Sequence, residues 1–229
     1  MNSRHIVAVV PAAGIGTRMQ SDIPKQYLTL HGKTILEHTL ERLSSHSLVD
    51  SVVVAIHPDD RLFFNLPISR HVKISTVTGG SERSESVSNA LQALPHDSWA
   101  LVHDAARPCV CQKDITRLID TEDLSPTIGA ILASPVSDTL KRGSDGYVSD
   151  TVDRSQLWRA LTPQFFHAHT LLNAYRQAHL NHLTVTDEAS AMELAGHKVK
   201  LINGHAGNIK ITHPDDLSLA AFYLQQESD

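Results

Sequence analysis

Cysteine is almost absent from this 229-residue chain: only Cys109 and Cys111 occur, one residue apart. Two are too few for a disulfide scaffold, and a bridge across one residue would be strained. The expectation is a reducing compartment. Positive charge is also short. Twenty lysines and arginines stand against 25 acids, a formal net charge of −5. That argues against a protein that coats nucleic acid or an anionic membrane, since both need a basic surface. It leaves room for a small anion held in a local basic pocket. No apolar run approaches the ~20 residues that span a bilayer, and no N-terminal stretch has the order of a signal peptide. The expected setting is the cytoplasm, with no nucleic acid and no membrane as partner.

What the chain does have is a rhythm. The run Ile6-Val7-Ala8-Val9-Val10 is short, β-branched and uninterrupted. It reads as a strand buried on both faces, as in a parallel sheet. Similar runs recur at 51–56, 73–77, 100–103, 128–133 and 198–202. Helical patterns lie between them. Thr34-Ile35-Leu36-Glu37 spells a capping box, after which Leu36, Leu40 and Leu43 share one face. Further helices are expected at 84–94, 114–121 and 168–179, and a last one opens at Thr212 with an acid three residues on. Alternating strands and helices predict a three-layer, Rossmann-like α/β fold with a mostly parallel sheet. We expect one domain over 1–229.

The rhythm breaks from Pro135 to about Trp158. Two extended segments, 136–141 and 147–152, flank the turn-rich Arg142-Gly143-Ser144-Asp145-Gly146. This predicts an inserted β-hairpin arm at about 135–158. An isolated hairpin is marginally stable, so it must pack on its own domain or on a second subunit; the second subunit is the more economical.

Chemistry concentrates after the strands. Pro11-Ala12-Ala13-Gly14-Ile15-Gly16-Thr17-Arg18-Met19 follows the first. Ligands of open α/β sheets bind beyond the strands' carboxyl ends, and two glycines let backbone N–H groups approach a phosphate. The dinucleotide fingerprint fails at Met19, where its third glycine belongs. This weakens a dehydrogenase reading. The Walker pattern fails because no Gly-Lys-Ser/Thr follows. Instead come Arg18 and Pro24-Lys25-Gln26, two cations beside a phosphate-type loop. Gly79-Gly80-Ser81-Glu82-Arg83 lies between a strand and a helix and admits a flat ring or a phosphate. His103-Asp104-Ala105-Ala106-Arg107-Pro108 ends another strand. Asp104 is placed to hold Mg²⁺ on a polyphosphate.

These segments resemble the signature of the sugar-type nucleotidyltransferases. The ordered set also includes Thr151-Val152-Asp153-Arg154, Leu161-Thr162-Pro163-Gln164-Phe165, Thr186-Asp187-Glu188-Ala189 and Asn208-Ile209-Lys210. As a whole, from about residue 6 to residue 224, the chain is similar to the 2-C-methyl-D-erythritol 4-phosphate cytidylyltransferase family, which acts in the non-mevalonate route to isoprenoids. The resemblance implies transfer of CMP from CTP to that polyol phosphate, with a divalent cation, Mg²⁺, as cofactor. It implies Arg18, Lys25 and Lys210 as stabilisers of the transition state. Ala12, Ala13, Gly14 and Gly16 would line the triphosphate. Gly80 and Ser86 would meet the cytosine, Ala105 the ribose, and Asp104 the metal. The hairpin would cross to the partner of a homodimer, where Thr139 and Arg154 grip the substrate phosphate; Thr162 and Thr186 would support the polyol. Arg107 would order its own loop. An alternative partner for Arg154 is Asp153 or Asp150 on the hairpin. Relatives carry an acidic residue where Gly207 stands, which leaves more of the metal assignment to Asp104.

Two rival functions keep the same fold. One is transfer to ribitol 5-phosphate, which differs only in the acceptor pocket. The other is a non-catalytic nucleotide-binding regulator, against which Arg18, Lys25, Asp104 and Lys210 all speak. His167, His169, His179 and His182 have spacings of two and three and read as surface histidines, not metal ligands.

Overall fold

The computed structural model describes residues 4–14 and 23–226. In chain order the elements are β1 (Ile6–Pro11), β2 (Thr29–Leu30), β3 (Lys33–Thr34), α1 (Ile35–Ser44), β4 (Ser51–Ile56), β5 (Ile74–Thr78), α2 (Arg83–Gln92), β6 (Trp99–Val102), α3 (Gln112–Ile119), β7 (Ile128–Pro135), β8 (Leu140–Ser144), β9 (Tyr147–Val152), β10 (Trp158–His167), α4 (Ala168–Leu180), α5 (Glu188–Leu194), β11 (Lys198–Asn203) and α6 (Asp215–Gln226).

A seven-stranded sheet runs β11-β7-β10-β6-β1-β4-β5. The β6, β1, β4 and β5 strands are parallel, as are β7 and β11, while β10 is antiparallel to both its neighbours. This is the expected α/β sheet, mostly parallel. The uninterrupted apolar run of β1 follows from double coverage. Ile6, Ala8 and Val10 face a core with Leu36 and Leu40 of α1 and Ile115 and Leu118 of α3. Val7 and Val9 face the other core, with Val87 and Leu91 of α2, Leu171 of α4 and Met192 of α5.

The helix starts show why local sequence suffices for some elements. The Thr34 hydroxyl accepts the Glu37 N–H at 3.1 Å, and the Glu37 carboxylate accepts the Thr34 N–H at 2.8 Å, the reciprocal box expected. At α6 the arrangement differs from expectation. Asp216 does the capping, its Oδ2 accepting the N–H groups of Thr212 and His213 at 2.7 and 2.8 Å. The two-residue strands β2 and β3, helix α5 and strand β10 were not expected from the sequence. Helix α5 has only seven residues, too few to display a period. Strand β10 is interrupted by Pro163, and its register shifts between Ala160 and Gln164, which destroys the alternation that marks a strand.

The inserted hairpin is present as β8 and β9, a two-stranded sheet apart from the main one. Asp145 and Gly146 have φ of 52° and 84°, the left-handed pair that matches strand twist in a tight hairpin. Residues 137–151 are all exposed, so the hairpin does not fold back on its own domain. Tyr147 remains 80% accessible and Val148 64%. At the other end of the chain, α6 sets Ala220 and Leu224 against Leu30, Ile35, Ala106 and Ile211. The Ile211 N–H also donates to the Ala106 carbonyl at 2.9 Å, which ties the segment around Lys210 to the loop after β6. Among the described residues, no helix is long and apolar enough to cross a membrane.

Gly129 on β7 has no room for a methyl group, which would enter the ring of Phe166 on β10. Gly129→Ala should therefore destabilise the protein by about 1–3 kcal/mol. A lowered urea midpoint at unchanged slope is the expected reading.

Candidate functional site

From β1 the chain builds β4 and β5 on one side, then crosses to place β6 on the other. The loops after β1 and β6 therefore diverge from adjacent strands and leave a crevice, the usual ligand position in such sheets. Ladder bonds continue past the strands: Ala12 N–H to the Ala55 carbonyl at 2.8 Å, and His103 N–H to the Val9 carbonyl at 2.9 Å. The floor of the crevice is thus rigid backbone.

A cavity of about 310 Å³ opens there. It brings together Ala12, Ala13 and Gly14 after β1, Lys25, then Gly80 and Ser86 at the start of α2, Asp104 and Ala105 after β6, and Lys210. Lys25 Nζ donates to the Ile211 carbonyl at 2.9 Å, so two lysines far apart in sequence stand on one rim. Gly16 and Arg18 lie outside the described residues.

Two residues of these motifs act in ways the sequence does not show. Gln26 is buried, and its Nε2 donates to the carbonyls of Ala12 and Gly14 at 2.9 and 3.1 Å. It thereby fixes the carbonyl side of that loop. Gly79 is the second. A Cβ there would meet Ala13 Cβ at 2.5 Å, so the absence of a side chain at Gly79 is what lets the two loops touch. Gly80 is held differently: its N–H donates to the Ser86 hydroxyl at 3.0 Å, and that hydroxyl donates to the Glu82 carbonyl at 3.1 Å.

Asp104 is the electrostatic centre. Its Oδ1 accepts Arg83 Nε at 2.9 Å; its Oδ2 faces Lys210 Nζ at 2.9 Å and Arg107 Nε at 3.4 Å. Burial raises the carboxyl pKa, but Arg83, Lys210 and Arg107 outweigh it and hold the group well below the usual carboxylate range. Arg83 shows the converse. Burial would lower it, yet Glu188 and Asp104 carry it well above the ordinary guanidinium value. Arg107 is pulled down by burial against the opposing pull of Asp104. Its Nη1 donates to the Asn208 carbonyl at 2.7 Å, so it orders its own surroundings.

Among the described residues no group of three histidine, cysteine or acidic side chains can hold a metal. Asp104 is a single carboxylate whose oxygens already meet Arg83, Lys210 and Arg107; it fits Mg²⁺ as one ligand beside phosphate oxygens and water, and not as a self-contained metal centre. His169 stacks on His96 with ring centroids 4.0 Å apart, and His167 packs edge-on to Trp99. These two are therefore half-buried packing partners and not simply surface groups.

Four expected residues stand outside the cavity. Thr162 is buried behind Asp104, its hydroxyl accepting the Asp104 N–H at 3.1 Å and pairing with His103 Nδ1 at 2.9 Å. It braces Asp104 and presents nothing to the opening. Thr139 and Arg154 belong to the exposed arm. Arg154 donates to the Ser137 carbonyl, while Asp150 pairs with Arg142 at 3.2 Å, so the alternative Arg154–Asp150 pair is not formed. Thr186 is exposed just before α5, with its N–H on the Ser190 hydroxyl at 3.0 Å. Gly207 lies where a Cβ would press on the rings of His205 and Tyr223 at 2.8 and 2.9 Å.

A sequence profile of the family described as 2-C-methyl-D-erythritol 4-phosphate cytidylyltransferase matches residues 6–226. The chain is 56% identical over 220 residues to a protein of that name from Shewanella sediminis, covering 96% of this chain and 94% of the relative. It is 52% identical over 229 residues to one from Vibrio cholerae, with 98% of each covered. The crystal structure of the Francisella tularensis protein of that name superposes with a TM-score of 0.84 at 38% identity, over 96% of this chain and 99% of the other.

The Gln26 bonds define a test independent of any ligand. Gln26→Leu keeps the volume but leaves the Ala12 and Gly14 carbonyls without their donor. A stability loss of about 1–3 kcal/mol is expected, measured by denaturant unfolding.

Proposed function

The chain belongs to the 2-C-methyl-D-erythritol 4-phosphate cytidylyltransferase family, and from that membership we propose how its own side chains do the chemistry. The enzyme transfers the cytidylyl group of CTP to 2-C-methyl-D-erythritol 4-phosphate with release of pyrophosphate, a step of isoprenoid biosynthesis. The observation that carries the residue assignment is the convergence of Lys25 and Lys210 on the cavity formed by the loops after β1 and β6.

Two anions must meet in line: the α-phosphoryl group of CTP, which bears about four negative charges in all, and a phosphomonoester with nearly two. The attacking phosphate oxygen is already mostly ionised at neutral pH, since its second pKa is near 6. No general base is needed. Positive charge and positioning are. Lys25 and Lys210 supply the charge at the rim, with Arg18 joining them by its place in the signature. The N–H groups around Ala12, Ala13, Gly14 and Gly16 take the triphosphate. Gly80, with its loop shaped by Ser86, faces the cytosine, and Ala105 leaves space for the ribose. Asp104, kept ionised by its neighbours, would hold Mg²⁺, which would neutralise phosphate charge. Thr162 serves by bracing Asp104, and Thr186 stands at the acceptor side.

The molecule works as one domain with an arm, and the arm belongs to a homodimer. Tyr147 and Val148 are too exposed to stabilise a lone hairpin, and a second copy covers them. Thr139 and Arg154 then reach the neighbour's acceptor site, where the planar guanidinium fork matches phosphate oxygens. The thiols Cys109 and Cys111 fit a cytoplasmic setting.

Pyrophosphate release with CTP is the deciding assay. Turnover of 2-C-methyl-D-erythritol 4-phosphate and not of ribitol 5-phosphate is expected; the reverse overturns the acceptor. Lys25→Ala and Lys210→Ala should each lower kcat by about 10²–10³-fold with little change in CTP affinity, because their charge acts mainly in the transition state. An effect confined to KM would remove that role. Mixing inactive Arg154→Ala with inactive Lys25→Ala protein should restore activity, since a hybrid dimer rebuilds one intact site. Absence of rescue after confirmed subunit exchange would return the arm to its own chain.

A further inference from the structure

Glu188 is the first residue of α5 and is wholly shielded from solvent. A charge so placed needs partners, and a buried ion pair is poor support for stability compared with apolar packing. Its retention here goes with geometry. Glu188 Oε1 and Oε2 accept Arg83 Nη1 and Nη2 at 2.8 and 3.1 Å. Oε1 also accepts the hydroxyl of Tyr175, on α4, at 2.8 Å. The remaining edge of the guanidinium, Nε, donates to Asp104 Oδ1 at 2.9 Å. One planar fork is thus shared between two carboxylates on different elements.

Arg83 is also where the loop 79–82 enters α2. The near end of that loop is held by Gly79 against Ala13 and Ser86. The far end is held through Arg83 by Glu188 and Asp104 together, and from within α2 by Glu85 on Ser81 and Ser86 on the Glu82 carbonyl. Lysine, a single point charge, could not serve both carboxylates in this way. Glu188 itself does not line the cavity.

We propose that Glu188 is a positioning residue for nucleobase selection: acting only through Arg83, with Tyr175 behind it, it sets the loop 79–82 and aims Asp104 at the same time. Cytosine and uracil differ in the donors and acceptors along one edge. A loop that reads that edge by hydrogen bonds discriminates only while its backbone groups keep their places. Without the charge on Glu188, the fork turns to face Asp104 with two nitrogens and takes the start of α2 with it. The inference rests on the reading above that this loop faces the base.

The test compares kcat/KM for CTP and UTP on the full-length enzyme with saturating Mg²⁺ and acceptor phosphate. A ratio of two rates measured on one sample does not depend on the fraction folded, so a merely structural role leaves it unmoved. Glu188→Gln should reduce the CTP-over-UTP preference by about 10-fold or more. Tyr175→Phe should move it in the same direction by less, and it decides the matter if the glutamine variant does not fold. An unchanged ratio in both variants, even with lower rates, overturns the proposal. Gly80→Ala, which displaces the Glu85 side chain from its bonds to Ser81, separates the two levels. If Gly80→Ala shifts the ratio while Glu188→Gln and Tyr175→Phe do not, this proposal alone fails. If Gly80→Ala leaves the ratio intact, the base-facing reading fails and the proposal falls with it.

Discussion

A carboxylate held ionised almost out of reach of water organises this molecule. Asp104 would be unfavourable there on desolvation alone, and it persists because Arg83, Lys210 and Arg107 surround it. The converse matters as much. Those three cations would repel one another without it. Each arrives from a different part of the chain: Arg83 from the start of α2, Arg107 from the same loop as Asp104, and Lys210 from the segment before α6. One acidic group therefore fixes the relative positions of three pieces of backbone, and the cavity is the space between them.

On the assignment proposed above, the balance of charge around that group bears on the reaction. Arg83 is shared with Glu188, so its charge is answered on both sides. Lys210 lies against one oxygen of Asp104 on the side that opens into the cavity, and Lys25 stands on the same rim. In a protein with a net charge of −5, the cavity lining carries three cations, Lys25, Arg83 and Lys210, against two carboxylates, Glu82 and Asp104. A local excess of positive charge is what two mutually repelling phosphates require if they are to come within bonding distance. Behind the cavity, Thr162 on the Asp104 N–H and Gln26 on the Ala12 and Gly14 carbonyls hold the backbone of both loops, the kind of preorganisation on which electrostatic catalysis depends.

The arm follows a different logic. Nothing in its own domain packs on it among the described residues, and its strands pair only with each other. The arm keeps a tight left-handed turn and well-formed pairing while exposing Tyr147 and Val148, which is the basis of the dimer proposed above. It leaves the main sheet between β7 and β10, which are neighbours there.

Legibility followed the range of the interactions. The double-sided apolar runs of β1 and β4 and the capping box of α1 depend on neighbours a few residues away or on burial of both faces, and both leave marks in the order of residues. The strand ends carrying Gly14, Gly80 and Asp104 were marked the same way, by glycine and by a carboxylate following an apolar run. Helix α5 was too short for a period, and β10 lost its alternation at Pro163. Gln26 looked like one more polar residue in a signature, and Gly80 drew the attention that Gly79 deserved on steric grounds. The chain's order by itself determined the layered α/β architecture, the inserted hairpin and which loops carry chemistry, because local hydrogen bonding and burial dictate those. Only the tertiary structure decided which side chains face the hollow and which stand behind it. Thr162 went to the back, Lys25 came to Ile211, and Arg83 found both Asp104 and Glu188, because contacts between residues distant in sequence are set by how the layers pack and leave no periodic trace along the chain.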